Sequence, residues 1–212
     1  MTPTKPALRG HFHQAMFFVV VGAGVPLIYN SEGLLVRASV SVYVVCALLT
    51  FGVSALYHRI TWSTSARAIW RRLDHAGIYL MIAGTFTPVA MMGLSAASAH
   101  DCLLTIWIVA LAGIVQSVFF VNIPKVFSAA IYLVAGYLIV PYMAELQQTI
   151  GSGNVWLLVA GGVAYTLGAL CYALKRPVLD PRYFGYHEVF HIFVNAGAIL
   201  HFFVINDLVF SG

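Results

Sequence analysis

The stretch LLVRASVSVYVVCALLTFGVSALY, residues 34–57, decides the fold class. It runs for 24 residues with a single charge, Arg37, near its start. At about 1.5 Å per residue a helix of that length reaches about 36 Å, enough to cross a hydrocarbon core of about 30 Å. Working outward, six more apolar runs occupy approximately residues 12–29, 73–95, 102–121, 126–146, 155–174 and 186–210. The breaks between them carry Gly, Pro, Asn, Ser or charge, as turns require. Hydrophobic residues make up 61% of the 212-residue chain and charged residues 8%. A soluble domain runs near 45–50% and about 25%. These figures exclude a water-soluble globule, a disordered chain and a disulfide scaffold. The expectation is an all-α, polytopic membrane protein: a seven-transmembrane-helix bundle over residues 12–212, preceded by a short segment, 1–11.

Lys5 and Arg9 before an apolar run are compatible with a signal peptide, but His13, Gln14 and Pro26 make a poor signal core. The run therefore reads as a retained first span. Pro26, Pro88 and Pro141 fall inside or near the ends of spans, where kinks are expected. Gly22, Gly24, Gly77, Gly84, Gly161, Gly162 and Gly168 are candidates for close helix approach. Cys46, Cys102 and Cys171 are widely spaced and form no C-x-x-C pair, so no redox or thiolate-metal motif is present.

The formal net charge is +4. Basic residues sit between apolar runs, and topology accounts for them without a nucleic-acid partner. One side receives Lys5, Arg9, Arg59, Arg67, Arg71, Arg72, Lys125, Lys175, Arg176 and Arg182; the other receives only Arg37. The positive-inside rule then places the N-terminus in the cytoplasm and the C-terminus outside.

An ionisable residue within a span marks function by default, because its burial is costly. Ser54 and His58 close the second run, Asp74 and His75 open the third, and His187-Glu188-Val189-Phe190-His191 opens the seventh. On the expected topology all three clusters lie at one depth near the cytoplasmic surface. His187 and His191 are four apart and project from one helix face. With His58 they supply the three nitrogens of an open tetrahedral zinc site. Ser54 and Asp74 are placed to hold a zinc-bound water, whose pKa falls to about 7. Asp74 would serve as general base against an ester or amide carbonyl. The substrate needs an apolar tail, since the site opens into helices and lipid.

Each residue also has a plain reading. The His187/His191 pair could be interfacial, His58 a headgroup contact, and Asp74 an ion-pair partner of Arg71 or Arg72. It is the shared depth that favours the joint site. The run His187–His191 also matches H-E-x-x-H, in which the Glu is a protease base. Val194 and Gly197 break the extended pattern, and Glu188 is expected to face the inner surface. His11 and His13 are expected in solvent, and His100 in an outer loop with Asp101. Asn195 and His201 are expected to make interhelical hydrogen bonds. Trp62, Trp70, Trp107 and Trp156 read as interface anchors.

Ser-x-x-x-His ending a second span, Leu-Asp-x-x-Gly opening a third and His-x-x-x-His opening a seventh resemble the hemolysin III family. That family sits within the progestin and adipoQ (adiponectin) receptor superfamily and is distantly similar to alkaline ceramidases. The resemblance covers nearly the whole chain. It implies zinc held by His58, His187 and His191, with Asp74 and Ser54 on the zinc-bound water. It implies a zinc-dependent hydrolase of lipid amides or esters, with membrane lipids and an acylated substrate as partners. The alternative it carries is a non-enzymatic membrane protein with structural or sensory zinc that affects membrane integrity or causes cytolysis.

Overall fold

A computed structural model describes residues 6–120, 123–180 and 182–211. Lys5 of the charge reading and Val121 at the end of the fourth run lie outside the described residues. Eight α-helices follow in chain order: α1 His11–Asn30, α2 Leu34–Arg59, α3 Thr64–Gly93, α4 Ala96–Phe119, α5 Lys125–Gly136, α6 Met143–Thr149, α7 Gly151–Leu174 and α8 Tyr186–Ser211. A 3-10 segment, Tyr137–Tyr142, joins α5 to α6, and Pro141 lies within it. The three pieces together make one span, so seven helical segments are long and apolar enough to cross a membrane. The described residues form no named strand.

Two boundaries differ from the hydropathy reading. Helix α3 begins at Thr64, nine residues before the third apolar run. Ser63 caps it, its side chain accepting from the Ala66 amide at 3.4 Å. The added turns carry Arg67, Arg71 and Arg72 and are polar, which is why the apolar pattern misses them. The fifth span is broken rather than continuous, because Pro141 cannot donate an α-helical hydrogen bond.

Helix α3 is the central element. It packs against α2 and α4 most closely and also touches α5, α6 and α8. Helix α1 packs on α2 and on α8, which closes the ring, while α7 lies along α8. Lipid tails are as apolar as leucine, so helices associate through close packing and internal hydrogen bonds rather than by escaping water. Both devices are present. A Cβ added at Gly84 would meet Cys46 Cβ at 2.5 Å, and one at Gly24 would meet Val44 Cγ1 at 2.6 Å. Gly22 and Gly162 differ from expectation: a Cβ at either meets nothing within 4 Å. Thr50 on α2 donates to the Gly77 carbonyl on α3 at 2.8 Å. Asn195 on α8 donates to the Phe12 carbonyl at 2.9 Å, and the His201 ring meets the Leu158 carbonyl at 3.1 Å. Such interhelical bonds are worth about 0.6–2 kcal/mol each. Trp107 is no surface anchor: it sits midway along α4, and its indole N–H donates to Thr87 at 3.2 Å. Trp62 and Trp70 stack on each other, ring centroids 4.8 Å apart, and Trp156 is exposed.

Candidate metal centre

The ends of α2 and α8 supply the site. Ser54 and His58 are four residues apart on α2 and both are buried. His187 and His191 stand one turn apart on α8, inside its first two turns. Helix α3 passes between these ends and brings Asp74 beside them. His58, His187 and His191 are 8%, 9% and 1% exposed. One ring nitrogen from each lies within 4.8 Å of the other two. The Nε2 atoms of His58 and His187 are 3.1 Å apart, and Asp74 Oδ2 is 3.5 Å from His58 Nε2. Ser54 and Asp74 both line the cavity beside the histidines. The structure thus brings His58, Asp74, Ser54, His187 and His191 together at one end of the bundle.

The donor set fits a small divalent cation. Two imidazole nitrogens on a tetrahedral zinc at about 2.0–2.1 Å lie about 3.3 Å from each other, close to the His58–His187 spacing. His191 Nδ1 is buried and finds no hydrogen-bond partner among the described residues. A buried nitrogen without a partner is costly unless something else meets it.

The loop before α8 is held by its own charges. The Asp180 carboxylate accepts from the Arg182 amide at 2.9 Å and from its guanidinium, which holds its pKa below the usual carboxylate range. The segment before α1 pairs with this loop: the Ala7 amide donates to the Arg182 carbonyl at 2.9 Å. Glu188 does not face the surface as the sequence reading expects. It is 1% exposed, ion-paired with Arg9 and accepts from the Gly185 amide at 2.8 Å. With those partners its carboxylate is engaged away from the histidines, and the protease pattern has no free base.

His13 also departs from expectation. It is buried rather than solvated. Its ring lies parallel to that of His191, and its Nδ1 is 2.8 Å from Ser54 Oγ. The sequence signal available was weak: one histidine just inside an apolar run, in a helix whose inward face is not marked by composition. His11 is exposed, and His100 pairs with Asp101 on the exposed first turns of α4, not in a loop. His201 lies ten residues beyond His191, about 15 Å along the helix, too far to join the cluster.

A cavity of about 620 Å³ begins at His13, Ser54, Asp74, His187 and His191. It continues between α3, the broken fifth span and α7 as far as Gln147, Ser152 and Trp156. Ser152 and Tyr172 both line it and are twenty residues apart on α7, about 30 Å. Its walls between these ends are mainly apolar, among them Ile78, Ile82, Leu133, Val155 and Val159.

The Haemolysin-III related family profile matches residues 1–202 of the chain. The chain belongs to the haemolysin-III-related family. Its relatives in that family include the Hemolysin-3 homolog of Bacillus subtilis (strain 168), 32% identical over 167 residues, which span 79% of this chain and 75% of that protein. Hemolysin-3 of Bacillus cereus is 31% identical over 165 residues, 78% of this chain and 72% of that protein. The human Monocyte to macrophage differentiation factor, of the progestin and adipoQ receptor group, is 26% identical over 164 residues, 76% of this chain and 65% of that protein. The haemolysin-III-related chain is therefore a multi-pass membrane protein with a three-histidine group that could hold a metal.

Proposed function

We propose that the protein is a zinc-dependent hydrolase of lipid amides or esters in a bacterial cytoplasmic membrane. The observation that carries this reading is the convergence of three buried imidazoles beside a carboxylate, at one end of a long apolar cavity. His58, His187 and His191 would hold zinc, three nitrogens leaving a fourth position open. When bound, zinc supplies a Lewis acid for the carbonyl and makes an adjacent water acidic near neutral pH. Asp74 takes the proton from the attacking water at Oδ2 and returns it to the leaving amine or alcohol as the carbonyl–heteroatom bond breaks. Ser54, which lines the same end of the cavity, would orient the attacking water through its hydroxyl. The cavity receives one acyl chain and keeps bulk water from the reacting carbonyl. A free amine or alcohol and a fatty acid are the products.

Arg59, Arg67, Arg71 and Arg72 stand at the histidine end of the bundle, which supports a cytoplasmic site. A lipid amide such as a ceramide has the acyl tail and the carbonyl that cavity and histidines suit. A second reading, a non-enzymatic protein that disturbs membrane integrity around a structural zinc, draws on the hemolysin names of the two Bacillus relatives. The apolar lining of the cavity argues against a water-filled path. Purified protein incubated with a panel of ceramides and acyl esters decides between them. The enzyme reading requires fatty-acid release that stops on chelation and returns with zinc; metal retention with no release across the panel favours the second.

A further inference from the structure

Helix α1 brings a fourth histidine to the cluster, and the chemistry above gives it no part. His13 is 4% exposed. Its ring lies flat on that of His191, with centroids 3.7 Å apart and planes 6° apart. Its Nδ1 is 2.8 Å from Ser54 Oγ, and its edge meets the Phe51 ring at 5.2 Å. His13 does not fall in the three-nitrogen group, so its place is behind a ligand and not at the metal.

A metal-ligating imidazole is ordinarily held in plane by a hydrogen bond from its second ring nitrogen to a carboxylate, carbonyl or water. His191 has no such tether: among the described residues neither of its ring nitrogens makes a hydrogen bond, and its Nδ1 is fully buried, so whichever nitrogen meets the metal leaves the other unheld. An imidazole free to rotate about its Cβ–Cγ bond spends part of its time with both nitrogens turned from the ion. The parallel face of His13 blocks that rotation, because turning His191 out of the stack drives its edge into the neighbouring ring. His13 is itself fixed, since Ser54 holds its Nδ1 and Phe51 backs its edge.

We propose that His13 is a positioning residue of the metal centre: stacked on His191 and tethered to Ser54, it fixes the plane of the third ligand. This rests on the reading that His58, His187 and His191 hold the metal. It joins helices α1, α2 and α8 into one unit, in which the hydroxyl of Ser54 also sets the geometry of a ligand across the site.

The test measures zinc affinity of the purified full chain in detergent by competition with a chromophoric chelator. His13→Asn keeps a polar group near Ser54 but removes the ring, and affinity falls roughly 10- to 100-fold, the range found when partners behind a ligand are lost. His13→Phe keeps a stacking face and loses the tether. Its loss is smaller, equals that of Ser54→Ala, and does not deepen in the double variant, because the same link is already cut. Visible bands of the cobalt-substituted protein report ligand geometry directly, and they shift in His13→Phe while the apo protein's melting temperature holds. If His13→Asn does not fold, the Phe/Ala cycle and the cobalt bands decide. Wild-type affinity in His13→Asn, or additive losses in the cycle, overturns the proposal while leaving the three-ligand reading intact. A wild-type protein that binds no zinc overturns both.

Discussion

Asp74 Oδ2 stands 3.5 Å from His58 Nε2, so a carboxylate of α3 and an imidazole ending α2 meet at one end of an apolar cavity. An acid in that position serves chemistry more than stability. Asp74→Asn keeps the side chain's shape and removes its capacity to take a proton. Zinc content is expected to stay near wild type, while lipid-amide turnover falls by about 10²–10⁴, the usual contribution of a positioned base. Initial rates measured beside metal content check this. Turnover within a factor of two of wild type would remove Asp74 from the mechanism.

Glu188 has a different task from the one its H-E-x-x-H setting suggests. Its buried carboxylate is paired with Arg9 and with the Gly185 amide. Glu188→Gln leaves Arg9, itself 21% exposed, without its counter-charge. The expected cost is about 3 kcal/mol, the low end for breaking a buried pair, because Arg9 retains some contact with water. Denaturation in mixed micelles would show the loss. Zinc stoichiometry is expected to be unchanged, and kcat to stay within a few-fold; a loss of zinc would place Glu188 in the metal centre instead.

Helices α2 and α3 must approach closely for His58 and Asp74 to meet, and Gly84 permits it. A Cβ there would lie 2.5 Å from Cys46 Cβ. Gly84→Ala therefore forces the two helices apart and costs about 1–3 kcal/mol, as overpacking does. Gly22→Ala is the control, since its Cβ would meet nothing within 4 Å. Paired thermal melts are expected to drop for the first and hold for the second. Equal melts would mean that the interface yields without cost.

Gly162 lines the cavity on α7, and a Cβ there enters open space. Gly162→Phe is expected to fold normally and to block the passage partway along. Release of long acyl chains should fall at least tenfold relative to short ones, measured on a chain-length series. An unchanged length preference would place the acyl chain elsewhere.

Much of this arrangement is legible in the residues. The seven apolar runs stand out because lipid-facing helices need apolar side chains over their full length. His187 and His191 declare a shared face by their spacing, and His58 joins them through depth. What escapes notice has physical reasons. The first turns of α3 are polar because they lie beyond the apolar run, so hydropathy begins the helix at Leu73 although Ser63 is a serviceable cap. The break at Tyr137–Tyr142 is marked only by Pro141. His13 and Glu188 look like surface residues next to Arg9 and His11; their burial depends on α1 lying against α8, a long-range contact that no local pattern encodes. Apolar residues surround the whole of each helix, so inward and lipid-facing sides carry little compositional contrast.

The central claim is that three imidazoles share one cation, and metal content is its most direct measure. Protein purified without chelators is expected to carry about one zinc per chain, and His58→Ala, His187→Ala and His191→Ala are each expected to lose it while remaining folded. Metal-free wild-type protein that takes up no added zinc, or full zinc in all three variants, would contradict the account.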